Sequence, residues 1–260
     1  RTTEKDALLG LGMTGIGSGK VQKLDLEEAA KLAVDTNKYY ANELGVNPAA
    51  RVTTVKPSGT TSCVLGTSSG VHAWHNDYYI RRIRVGKNEA IYTYLQLNHP
   101  ELVEDDFFKP ETQAVISIPQ KAEEGGILRH ETSIELLDRV KDIYQRWIAN
   151  GHVAGNNTHN VSCTVSVKED EWDLVGRWMW DNKEFYNGLS VLPYFAADST
   201  YTQLPFEDID ETQFTELVST LKEVDVSQVV ELIDNTDLTG ELACAGGACE
   251  ITESTAIAAG

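Results

Sequence analysis

Two short stretches carry side chains whose types and spacing suit chemistry. In "KPSGTTS", residues 56 to 62, Ser58, Thr60, Thr61 and Ser62 bring four hydroxyls into five positions, Gly59 lets a ligand approach the backbone, and Pro57 fixes the entry. Hydroxyls and backbone N–H groups converging after a strand are what an anionic phosphate needs. An ordinary polar turn uses the same residues, so chemistry alone leaves both readings open. In "CAGGAC", Cys244 and Cys249 flank Gly246 and Gly247. That spacing lets two thiols close into a disulfide without strain and open again. On a flexible arm such a dithiol reaches a pocket, exchanges with a buried disulfide, and returns to be reduced by another protein. A zinc pair is the competing reading, and it needs two further ligands that the tail lacks.

Other motifs fail on context. "GLGMTGIGSGK", residues 10 to 20, places Gly10, Gly12 and Gly15 at dinucleotide-fingerprint spacing, but only Leu8 and Leu9 precede it and more glycine comes after. A phosphate-cradling P-loop needs Ser or Thr where Val21 stands. The stretch reads as a flexible loop. "HAWH" offers His72 and His75 with no second close Cys/His pair, so no metal site is expected. Cys63 and Cys163 have apolar or β-branched neighbours and are expected to be buried.

The elements that must position these groups can be read from periodicity. Residues 26 to 44 read as a helix, with Asp25 and Glu28 as a capping pair and Gly45 as the stop. Residues 133 to 151 and 168 to 182 read as two more, and "LPFEDIDETQFTELVSTLKEV" holds another. A β-branched run ends at Pro57, and "AVISIP", "HNVSCTVSV" and "GLSVLPY" read as strands. Strands alternating with helices predict an α/β fold with a largely parallel sheet. The boundary between packed body and tail is expected near Asn235.

The chain has 260 residues and a formal net charge of −18. Two thirds of that charge lies between Glu207 and Glu253, where thirteen acidic residues meet one base, Lys222. This segment repels a phosphate backbone, so no direct nucleic-acid binding is expected. "RRIRVGK", residues 81 to 87, alternates as a strand edge does. No run of eighteen apolar residues and no secretory signal occurs, so the expected address is cytoplasmic with no membrane span. Four cysteines are too few for the disulfide framework of a small secreted domain.

Taken together, these residues resemble the ribonucleotide reductases, most closely the adenosylcobalamin-dependent class. "VKPSGTTSCVLGTSSGVHAWHNDYYIRRIRVGKNEAIY" is similar to the family's substrate-phosphate loop and the segment after it, "GLSVLPY" with "LPFEDID" to its last barrel strand, and "CAGGACEI" to its C-terminal redox tail. The resemblance runs from about Leu8 to Ile251. It implies a ten-stranded α/β barrel of which this chain is the C-terminal part. Residues 1–205 would be barrel with the phosphate loop, 206–235 an acidic helical segment, and 236–260 a flexible redox tail.

It further implies adenosylcobalamin as cofactor and reduction of a ribonucleotide by a thiyl radical. Pro57, Ser58, Gly59, Thr60, Thr61 and Ser62 would hold the substrate phosphate. Cys244 and Cys249 would shuttle electrons from thioredoxin or a similar protein. The family's finger loop, Asn-x-Cys-x-Glu, is not in this sequence. The radical cysteine and the substrate-reducing pair are therefore expected upstream, in the same polypeptide or in a separate half. A non-catalytic phosphate-binding module whose acidic tail docks a partner is the alternative.

Overall fold

The structure is a computed structural model that describes residues 7–59, 61–194 and 203–235, with the backbone of 244–245 and 248–249. Its elements in chain order are β1 (Leu11–Gly12), α1 (Leu26–Leu44), β2 (Thr53–Thr54), α2 (Thr61–Leu65), β3 (Tyr78–Gly86), α3 (Ala90–Asn98), β4 (Val103–Asp105), β5 (Gln113–Lys121), α4 (Ser133–Ile143), β6 (Thr164–Val167), α5 (Trp172–Asp181), β7 (Ser190–Pro193), β8 (Phe206–Asp208), α6 (Glu211–Thr220), β9 (Cys244–Ala245) and β10 (Ala248–Cys249). Contacts divide the chain into two units, residues 1–74 with 123–196 and residues 75–122 with 197–260.

The first unit is built on parallel strands. β1 pairs with β2, Val55 just beyond β2 bridges Val161, and β6 pairs with β7, all parallel. Helices supply the crossovers. α1 starts where predicted: the Asp25 carboxylate accepts the Glu28 amide at 3.0 Å, and Gly45 ends it at φ 66°. α4 opens with a capping box between Thr132 and Glu135 and runs into a π turn, Tyr144–Ile148. Val55, Val161, Val165, Leu137, Val140 and Ile143 are fully buried between strands and helices. Along β6, Val165 and Val167 are buried and Thr164 and Ser166 are half-buried, the alternation by which the segment reads as a strand.

The second unit corrects the expectation of a largely parallel sheet. Its four strands run in the order β4-β5-β3-β8, and every pairing is antiparallel. β3 and β5 pair over nine residues, from Tyr78 opposite Lys121 to Gly86 opposite Gln113. Helix α3, which periodicity missed, leads from β3 into β4, and the chain then returns along β3 as β5 instead of crossing over. β3 lies between β5 and β8, but β8 pairs only with Tyr79–Arg81, so most of "RRIRVGK" pairs on the β5 side alone. Its arginines meet carboxylates on the neighbouring segments, Arg82 with Glu104 and Glu207, and Arg84 with Asp106. Leu95, Leu102 and Ile116 form this unit's buried apolar cluster.

Candidate functional site

The stretch from Lys56 to Ser69 begins on a firmly held strand. The Thr53 hydroxyl donates to the Trp147 carbonyl at 2.7 Å, and the Trp147 indole N–H donates to the Thr54 carbonyl at 3.1 Å. Both contacts use the π turn after α4, where the wider turn aims its groups at β2. Pro57 then ends the strand because it has no N–H to continue a ladder.

Within the loop, two of the predicted hydroxyls face inward. The Ser58 amide donates to the Ser69 hydroxyl at 2.9 Å, and the Ser58 hydroxyl meets that of Thr14. Thr14 already donates to the Ser68 carbonyl at 3.0 Å and accepts the Gly70 amide at 2.9 Å, so Ser58 is the donor of the pair. Ser62 is buried, and its amide reaches the Ser58 carbonyl at 3.0 Å while its hydroxyl donates to the same oxygen. Ser58 and Ser62 thus shape the turn. Pro57 and Gly59 are half-buried, and the Thr61 side chain and Lys56 are exposed. Thr60 lies outside the described residues.

The glycine-rich stretch turns out to be the floor of this loop, which corrects its reading as a flexible segment. Gly15 to Ser18 are buried, and Gly15 has φ +73°. A Cβ on Gly17 would lie 2.3 Å from the His72 carbonyl oxygen, so only glycine lets the two segments approach. Gly70, at φ +57°, makes the same close approach to the Lys56 carbonyl, where a Cβ would stand 2.7 Å away. The signal was present as glycine spacing, but its partner segment is remote in sequence.

The turn at residues 69–72 is held from behind by buried polar groups. Arg139 is 5% exposed; it donates to the Val71 carbonyl at 3.0 Å and grips Glu131 through two bonds of 2.6 Å. The His72 ring, also buried, lies 3.2 Å from the Ser69 carbonyl, and its Nε2 accepts the Thr164 amide at 3.1 Å. Burial, with the Arg139 charge adding to it, holds the His72 pKa below its ordinary value. Sequence reasoning passed over Thr14, Ser69 and Arg139 and set His72 aside with its motif partner. His75 belongs to the other unit, where it pairs with Asp208 at 3.0 Å and stacks on Phe206. Among the described residues, no three His, Cys, Asp or Glu side chains are grouped to hold a metal ion.

The cysteines divide differently from expectation. Cys163 is buried, and desolvation pushes its thiol up to about 12, which makes it a poor nucleophile. Cys63, expected to be buried, is exposed on α2, with its Sγ 3.0 Å from the Gly59 carbonyl oxygen. A five-residue helix on the surface gives its apolar neighbours Val64 and Leu65 nothing to pack against. The side chains of Cys244 and Cys249 lie outside the described residues. The backbone register places Cys244 opposite Cys249 in the antiparallel pair β9–β10.

No family model matches this chain. It is similar to a "probable adenosylcobalamin-dependent ribonucleoside-triphosphate reductase" of Dictyostelium discoideum, 30% identical over 209 residues, covering 76% of this chain and 25% of the relative. An adenosylcobalamin-dependent ribonucleoside-triphosphate reductase of Lactobacillus acidophilus is 29% identical over 230 residues, covering 85% of this chain and 29% of that protein. The chain therefore spans less than a third of the length of these relatives. Among solved structures, a B12-dependent (class II) ribonucleotide reductase shares the fold with a TM-score of 0.65 and 21% identity, over 84% of this chain and 34% of the other.

Proposed function

We propose, from this chain's kinship with the adenosylcobalamin-dependent ribonucleotide reductases, that it forms the C-terminal portion of such an enzyme and takes part in reducing a ribonucleoside di- or triphosphate to its deoxy form. The observation that carries the proposal is the loop at residues 57–62, a hydroxyl-rich turn whose shape is set by its own hydrogen bonds, within a chain similar to these reductases over most of its length. Pro57 to Ser62 hold the substrate phosphate. Ser58 and Ser62 do so by shaping the turn, while Thr61 and the backbone around Gly59 face the ligand. A turn already held in place has less ordering entropy to lose on binding, which favours affinity.

Residues 1–205 supply the later part of a ten-stranded barrel, 206–235 an acidic helical segment and 236–260 the redox tail. The open ends of the parallel run support a missing remainder. Among the described residues β1 and β7 each pair on one side only, and Leu8, Leu11 and Leu192 beside them are exposed. Unpaired strand edges need a partner. The upstream part of the reductase, in the same polypeptide or a separate one, completes them.

The electron balance then assigns the tail its task. Replacing the 2′ hydroxyl of the substrate by hydrogen releases water and takes two electrons from a cysteine pair upstream, which becomes a disulfide. Cys244 and Cys249 reduce that disulfide by thiol exchange and become a disulfide themselves. A thioredoxin-type dithiol restores them, in the reducing setting of the cytoplasm. The opposed positions of Cys244 and Cys249 support this closure.

Adenosylcobalamin supplies the radical when bound. The groove of about 390 Å³ in the second unit, between Ile80, Ile209, Leu217, Glu207 and Glu216, is drug-sized and does not fit a corrinoid.

The test replaces Cys244 or Cys249 by Ser in the full-length polypeptide. Turnover driven by thioredoxin is expected to be lost, while a small dithiol that enters the pocket directly still supports some. Equal loss with both reductants would sink the shuttle role. Absence of any thiol exchange between the tail and thioredoxin would favour the second reading, a phosphate-binding module whose acidic segment, −12 between Glu207 and Glu253, docks a partner.

A further inference from the structure

The loop rests on the turn at residues 69–72, and the His72 imidazole is the group that ties this turn to strand β6. Thr164, at the start of β6, donates its amide to His72 Nε2 at 3.1 Å. A ring nitrogen that accepts an amide N–H carries no proton, so the proton of the neutral ring sits on Nδ1 and is donated to the Ser69 carbonyl at 3.2 Å. The Ser69 hydroxyl in turn receives the Ser58 amide at 2.9 Å. The path from barrel strand to phosphate loop is therefore continuous: Thr164, His72, Ser69, Ser58. The ring is 2% exposed, so no water is at hand to replace either bond.

We propose that His72 is a positioning residue for the substrate-phosphate loop, tying strand β6 to Ser69 and through it to Ser58. The inference rests on reading residues 57–62 as that loop. An imidazole suits the task because it is rigid and carries a donor and an acceptor on opposite sides. Phenylalanine keeps the ring volume and the residue-72 amide bond to the Ser69 carbonyl (3.0 Å) but strands the Thr164 amide and removes the ring's own bond to Ser69. Glutamine places a carbonyl where Nε2 stood and keeps the bond to Thr164. Asparagine keeps a donor near Nδ1 and loses the bond to Thr164.

The experiment measures KM and kcat for a ribonucleotide in the full-length reductase, together with the affinity of inorganic tripolyphosphate as a base-free probe. For His72→Phe, KM is expected to rise about tenfold and tripolyphosphate to bind correspondingly more weakly, with kcat within about twofold, because only the phosphate anchor has moved. His72→Gln should recover most of that loss. Thr61→Ala serves as a control that touches the ligand directly. A His72→Phe enzyme with unchanged KM, or one that loses kcat with KM intact, overturns the inference, as does a Gln variant no better than Phe. If the Phe variant does not fold, the Gln and Asn variants decide: each breaks one bond and should raise KM by a smaller factor, and wild-type KM in both overturns the proposal. A silent Thr61→Ala with no tripolyphosphate binding overturns the loop reading itself, and this inference with it.

Discussion

Two charge clusters, Arg139 in the first unit and Arg82 in the second, satisfy their groups differently. In the first, Val55, Val161, Val165 and Val167 are buried, and the two polar side chains behind the 69–72 turn are held by partners, Arg139 by Glu131 and Val71 and His72 by Thr164 and Ser69. In the second, an antiparallel sheet places carboxylates at its surface as well as inside: Arg82 lies 3.3 Å from Glu104 and 2.5 Å from Glu207, both half-exposed, while Arg84 meets the buried Asp106. Buried polar groups are costly to leave alone, so their geometry is strongly specified. Solvent-exposed charge pairs are replaced by water at little cost and leave their surroundings adaptable. The candidate phosphate loop sits on the first kind of framework, which suits a group that must present one geometry to a ligand.

The largest expected effect that tests this contrast is Arg139→Met. It leaves the Glu131 carboxylate, whose side chain is 11% exposed, without its partner. Breaking a buried pair from one side costs about 3–5 kcal/mol. Denaturant unfolding should show a loss of that order, and removing Glu131 as well, by Arg139→Met with Glu131→Leu, should restore much of it. A single variant as stable as the parent would mean that the pair contributes no more than a surface one.

A smaller effect comes from acid. His72 has a folded-state pKa below the ordinary 6.5 because of burial and the nearby Arg139 charge. Arg139 is compensated by Glu131, and Cys163, beside Thr164, stays neutral. Below pH 6.5 the unfolded chain takes up a proton that the folded ring resists, so the stability of this unit is full above that value and falls as pH drops toward the folded pKa. In the second unit, burial pushes Glu104 up, but hydrogen bonds from Ser117 and Gln203 and the Arg82 charge outweigh it and leave its pKa below 4.5. Its contribution is lost only at lower pH. Hydrogen exchange measured from pH 7.5 to 5 should therefore show β6 amides losing protection before β3 amides, and His72→Gln should remove the difference.

The smallest effect is expected for Arg82→Ala. Its two carboxylate partners are half-exposed, so the loss should be about 1 kcal/mol or less and shrink in high salt. A loss as large as that of Arg139→Met would erase the distinction between the two clusters.

Much of the local structure was legible because its causes are local. Asp25, the apolar spacing and Gly45 bound α1 at Leu26–Leu44 as read, since caps and periodicity act within a few residues. The strand segments and the position of the hydroxyl-rich loop were legible for the same reason, and so was the dithiol spacing of Cys244 and Cys249. Strand direction was not: an antiparallel and a parallel strand share the same alternation, and only the partner decides which one "RRIRVGK" becomes. Nor was the exposure of Cys63, which depends on what covers a short surface helix.

By itself, then, the sequence determined many of the helix and strand segments, where hydroxyls and thiols cluster, and which family the chain resembles. The tertiary structure alone decided what those clusters rest on. Thr14 meets Ser58 across 44 residues and His72 meets Thr164 across 92, and Gly17 must be glycine because the His72 carbonyl passes against it. Contacts of that sequence separation leave no periodic trace in either partner, because each residue is chosen for a neighbour that only folding brings near.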